Sequence, residues 1–96
     1  MVNHPRRNKL AAYGGRILII DERRTVQLVD PNDNAQRRFQ YRRTLDGSGI
    51  ERRVLRDNGE PFIDTGSPWE AMTIDEIGAL MSVRREYHPI LDPLGF

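Results

Sequence analysis

The chain contains no cysteine, so neither a disulfide framework nor a thiolate metal site is available to it. A reducing interior, or the exterior of a particle, is the setting that this absence suits. Histidine is nearly absent too. His4 and His88 lie far apart, and each lacks a partner at helical or strand spacing, which argues against a histidine-based metal or catalytic site. No run approaches the ~18 apolar residues of a membrane-spanning helix. The opening MVNHPRRNKLAAYGG lacks the apolar stretch of a secretory signal, so neither secretion nor a membrane anchor is expected. Lysine occurs once, as Lys9, and the other 14 basic residues are arginine. Arginine forms planar bidentate contacts to carboxylates and phosphates that lysine cannot.

What is present fits one small domain. The 96 residues are 38% apolar, and the mean hydropathy of −0.65 supports a thin core with polar margins. The net charge of +1 conceals an uneven distribution. Residues 1–58 carry 13 basic and 7 acidic side chains, whereas residues 59–96 carry 2 basic and 7 acidic ones. Such polarity suits an anionic partner at one end, or contact between copies.

Residues 1–15 read as an extended arm ending at Gly14-Gly15. Residues 16–66 read as antiparallel sheet. RILII (16–20) and TVQLV (25–29) are short β-branched runs joined by DERR as a four-residue turn, which sets Ile19 opposite Val26 and Ile17 opposite Leu28, and DPNDN (30–34) is a dense turn signal. QRRFQYRRTL (36–45) and IERRVLRD (50–57) flank DGSG, a spacing that sets Leu45 opposite Ile50. In that register Tyr41 faces Val54, Arg42 faces Arg53 and Arg43 faces Arg52. Asn58-Gly59 is a strong hairpin signal, pairing Leu55 with Phe62, Val54 with Ile63 and Arg53 with Asp64. Tyr41, Leu45, Ile50, Val54 and Ile63 then share a core face. Residues 67–96 read as a helix and a packing tail. Ser67, Pro68 and Glu70 open a short turn, and Thr73 with Glu76 forms a capping box for a helix from about 74 to 87. His88 is expected to meet the end of that helix. The fold class is α+β: a five-stranded antiparallel meander, or a small partly open barrel, with one C-terminal helix and an N-terminal arm.

One motif bears on catalysis. VLRDNGEPFIDTGS (54–67) resembles the aspartic protease family at its catalytic loop, where two apolar residues precede Asp-Thr-Gly-Ser. The resemblance implies that Asp64 would supply one carboxylate of a dimeric site, since that chemistry shares a proton between two. It covers those 14 residues only. Downstream, the capping boxes spend the chain on a helix, where the family needs a flap hairpin and an apolar-apolar-Gly strand. Asp64 is expected to pair with Arg53, and no enzymatic activity, cofactor or metal is expected.

The candidate contact residues are cationic. Arg6, Arg7 and Lys9 lie in the arm, and Arg42, Arg43, Arg52 and Arg53 on the sheet margin. In the expected register Arg43 and Arg52 find no carboxylate on their face, and like charges across a strand pair are destabilising, so an external anion would suit them. The composition therefore points to a non-enzymatic assembly or accessory protein. Its arginines would meet acidic surfaces of partner proteins or of other copies, and a virion component fits by size and style. Nucleic-acid binding by the same arginines is the alternative, and a small inhibitor protein is the third.

Overall fold

The computed structural model describes residues 10, 12, 14–30, 33–83 and 87–96. Strands β1 (Arg16–Ile20), β2 (Arg23–Val29), β3 (Arg38–Arg43), β4 (Ile50–Leu55) and β5 (Glu70–Ala71) form one open antiparallel sheet in sequential order. Helix α1 (Ile74–Ser82) and the single turn α2 (Leu91–Leu94) follow. The fold is α+β with a meander sheet.

Strand alternation divides the sheet into two unlike faces. One gathers Val26, Leu28, Phe39, Tyr41 and Ile50, all buried, and is closed by Leu10, Ile90, Leu91 and Leu94. The tail PILDPLGF therefore packs on the chain's own sheet. Leu10, within the stretch read as arm, belongs to this core. Gly15 allows that approach, because a Cβ there would lie 2.5 Å from Leu10 Cδ1. Tyr41 Oη donates to Asp30 Oδ2 at 3.1 Å, and burial, then the Asp30 charge, raises the phenol's pKa. The opposite face buries polar groups: Thr25, Gln27 and Gln40 are at most 5% exposed.

The β1–β2 turn takes only Asp21 and Glu22, both at positive φ, so Ile17 faces Val26 and Ile19 faces Arg24, two residues from the expected register. The β3–β4 register also differs from expectation by two residues. Arg42 faces Glu51, Arg43 faces Ile50, Tyr41 faces Arg52 and Gln40 faces Arg53. The connection is longer than the turn residues alone imply, with Thr44 N donating to Gly49 O at 3.0 Å. Asp46 organises it, accepting from Thr44 Oγ1, Ser48 N and Ser48 Oγ at 2.6–2.9 Å. Cross-strand energetics favour the slip. It replaces two arginine–arginine oppositions with an Arg42–Glu51 ion pair and an Arg53–Gln40 hydrogen bond. A shift of two leaves every side chain on its face, so Tyr41 and Ile50 remain core. Leu45 does not: it is 89% exposed at the loop.

The fifth strand also lies elsewhere. The Asn58-Gly59 turn forms, with Arg56 N donating to Glu60 O at 2.8 Å, but its second arm leaves the sheet. Phe62 N donates to Ser67 Oγ and Gly66 N to Phe62 O, both at 2.8 Å, so local bonds take the groups a strand ladder would need. Hence Leu55–Phe62, Val54–Ile63 and Arg53–Asp64 do not pair, and Ile63 is 85% exposed. Glu70–Ala71 joins β4 instead, as Arg52↔Glu70 and Glu51↔Ala71. Ser67 is buried with φ +50 rather than capping a turn.

Helix α1 has the expected capping box, Glu76 N donating to Thr73 Oγ1 and Thr73 N to Glu76 Oε1. It stops at Ser82, short of Tyr87. His88, expected to close α1, instead opens α2. Its Nδ1 accepts from Ile90 N and Leu91 N, each at 3.1 Å, and its own N–H donates to Asp92 Oδ2 at 3.2 Å. The pattern is reciprocal, as in a capping box.

Candidate interaction surface

Arg42 and Arg53 project from the polar face, beneath the segment that follows β4. Alternation puts Arg16, Arg23 and Arg38 on that face as well, and Glu51 is the only acidic strand residue there. Glu51 serves two of these cations. Its Oε1 accepts from Arg42 Nε and lies 3.6 Å from Arg23 Nη1, which also donates to Arg43 O at 3.1 Å. Arg53 Nε donates to Gln40 Oε1 at 2.8 Å, Gln40 Nε2 to Thr25 Oγ1 at 3.2 Å, and Thr25 Oγ1 to Leu18 O at 3.4 Å. A polar chain thus runs from β4 to β1. Arg23 Nε and Gln27 Oε1 are buried without a hydrogen-bond partner among the described residues.

The indole of Trp69 covers this layer. The Arg42 guanidinium carbon lies 3.8 Å from the ring centroid and that of Arg53 4.7 Å. A cation over an indole face is attracted by its quadrupole, worth ~0.5–2 kcal/mol according to how dry the site is. Burial, and then the Arg42 charge, lowers the Arg53 pKa. Nearby, Gly59 passes close enough for its carbonyl to accept from Gln27 Nε2 at 3.3 Å. Its φ of +88 favours glycine, and a Cβ there would lie 3.0 Å from Arg16 Nη2 and Gln27 Oε1.

Arg43 and Arg52 lie on the core face, and neither lacks a partner. Arg43 gives Nε and Nη2 to Gly47 O, and Nη1 to Leu94 O and Gly95 O, while stacking 4.0 Å over Phe96. It ties the β3–β4 loop to the end of α2, where carbonyls await donors. Arg52 Nη2 lies 3.3 Å from Glu76 Oε2, and its guanidinium sits 5.2 Å from the Phe39 ring. The carboxylate missing from sheet pairing comes from the helix, twenty-four residues on. The structure therefore brings together Arg42 with Arg53, and separates both from Arg43 and Arg52. Arg6, Arg7 and Lys9 lie outside the described residues.

Asp64 occupies an exposed turn, and its carboxylate forms no ion pair among the described residues. No group of three potential metal ligands occurs among them either. Open clefts among the described residues include one of about 420 Å³ beside Arg56, Asp57 and Phe62, and one of about 560 Å³ beside Asp30, Asp33 and Gly14. No helix among the described residues is long and apolar enough to cross a membrane.

Sequence reasoning passed over the exposed aliphatic groups. Ile17, Ile19 and Ile20 of β1 are all exposed, Ile19 at 76%, and among the described residues β1 pairs only with β2. Ile74 is 88% exposed on α1, with Met81 and Val83 also outside the core, and α1 buries no residue fully. The signal was legible. RILII is the first strand of a meander, hence an edge, and its apolar residues do not alternate with polar ones. Comparison with known proteins adds no relative: no family model, curated protein or solved structure matches this chain.

Proposed function

We propose that this chain is a non-enzymatic assembly or accessory protein that works by binding other proteins or further copies of itself. The observation that supports it is the aliphatic surface: an edge strand with three exposed isoleucines, and a helix whose apolar residues are not fully buried. An exposed, apolar, unpaired edge is a template for another chain, and proteins that work alone blunt it with charge, proline or a bulge. None of those devices interrupts Ile17–Ile20. Within this reading Arg42, Arg43, Arg52 and Arg53 hold the scaffold through the contacts described above. Cationic contact with acidic neighbours then falls to Arg6, Arg7 and Lys9.

Binding of nucleic acid is a second reading, favoured by the five arginines against one glutamate on the polar face. Size-exclusion chromatography with light scattering, before and after nuclease treatment, separates the two. Self-association or a co-purifying protein that survives nuclease and high salt supports assembly. A nuclease-sensitive complex whose affinity falls steeply with salt supports the second reading. A monomer that binds neither protein nor nucleic acid refutes both.

A further inference from the structure

We propose that the missing neighbour of β1 is β1 of a second copy, running antiparallel about a two-fold axis at Leu18, so that two sheets of five strands become one of ten. The inference rests on the protein-contact reading above and names its partner. The geometry begins at the β1–β2 turn. Asp21 and Glu22 have φ of 54° and 65°, the positive pair that marks a two-residue I′ turn. The flanking pair Ile20↔Arg23 is then hydrogen-bonded, so Arg16, Leu18 and Ile20 direct their backbone groups at β2. Ile17 and Ile19 direct theirs outward.

That alternation restricts the register. A second β1 finds complementary backbone groups only when its own residues 17 and 19 meet these two, so odd shifts are excluded. Placing Leu18 opposite Leu18 sets each Ile17 opposite Ile19 of the other copy, with four backbone hydrogen bonds. Moving by two residues sets Ile17 against Asp21, or Ile19 against Gly15, both outside the strand, and leaves two of the four bonds between strand residues. In this register the charges attract as well. Arg16, exposed at one end of β1, lies across from Ile20 of the second copy and diagonal to Glu22 in that copy's acidic turn. Cross-strand and diagonal neighbours are within reach of long side chains, and two-fold symmetry makes the attraction twice. Such an isologous pairing closes on itself and leaves no apolar edge free at the joint.

The test exploits the absence of cysteine. In this register Leu18 faces its symmetry mate as a non-hydrogen-bonded pair, Cα atoms ~4.5 Å apart, a separation that a disulfide spans. The full-length Leu18→Cys protein is expected to oxidise to a covalent dimer. Ile20→Cys, whose mate lies at the far end of the seam, is expected to run as a monomer on a non-reducing denaturing gel. Sedimentation should show that Ile19→Lys, a substitution at an exposed site that spares the fold, weakens the dimer at least ~100-fold, since two isoleucines lose burial. Equal cross-linking of the two cysteine variants, or association unchanged in Ile19→Lys, overturns β1 pairing while leaving the broader proposal standing. A monomer at every concentration overturns β1 pairing, and only the further lack of any co-purifying protein removes the broader proposal with it.

Discussion

Trp69→Ala tests whether the arginine layer is held from within. The indole roofs two guanidinium groups at 3.8 and 4.7 Å. Each contact is worth ~0.5–2 kcal/mol, and loss of the ring's own burial adds to them, so the variant should be destabilised by about 2–4 kcal/mol. For a domain of this size that is a fall in midpoint of roughly 10–25 °C, enough to consume much of a typical ~5–10 kcal/mol of stability. Urea unfolding followed by far-ultraviolet circular dichroism measures it, with Trp69→Phe expected to lie between. A double-mutant cycle with Arg42→Met should give a coupling of about 0.5–2 kcal/mol. A loss below ~0.5 kcal/mol, the level of an ordinary surface substitution, or no coupling, would refute the claim that these arginines are satisfied by their own chain.

Other outcomes follow from the same contacts. Replacing His88 by Ala removes the acceptor for Ile90 N and Leu91 N and should cost about 1–2 kcal/mol, as loss of a helix cap does; His88→Asn, which restores an acceptor, should recover most of it in chemical denaturation. Asp46 has its pKa lowered from 3.8 to about 2, chiefly by the Thr44 hydroxyl and then by Ser48. A depressed carboxylate stabilises above its unfolded value and loses that contribution as pH falls through its folded one. The β3–β4 loop should therefore loosen between pH 4 and 2, visible as an Asp46 carboxyl titration by NMR, and Asp46→Asn should abolish that dependence. Leu91→Ala, at a fully buried site, should cost ~2–5 kcal/mol; a negligible loss would mean that the tail does not pack on the sheet. Asp64→Asn should leave stability nearly unchanged, since no ion pair is broken, and a peptidase activity lost in that variant would overturn the non-enzymatic reading.

Local chemistry fixed most of the elements. The β-branched runs before and after Asp21-Glu22 gave β1 and β2, the Thr73/Glu76 spacing gave the start of α1, and alternation put Tyr41 and Ile50 on the core face. Alternation has period two, so it survives a slip of two residues, which is why the core face was legible while the β3–β4 pairing was not. Register was decided by what stands opposite each arginine, a property of two strands together. Likewise Ser67 captured the Phe62 amide across five residues and turned an expected strand into a closed turn. The contact surface depended most on tertiary structure. A guanidinium is equally ready for an external anion, a tryptophan face or a helix carboxylate, and only folding brought Trp69 to Arg42 and Glu76 to Arg52. Once those partners arrived within the chain, an edge of isoleucines stayed exposed, because among the described residues a strand at the end of a meander has a neighbour on one side only.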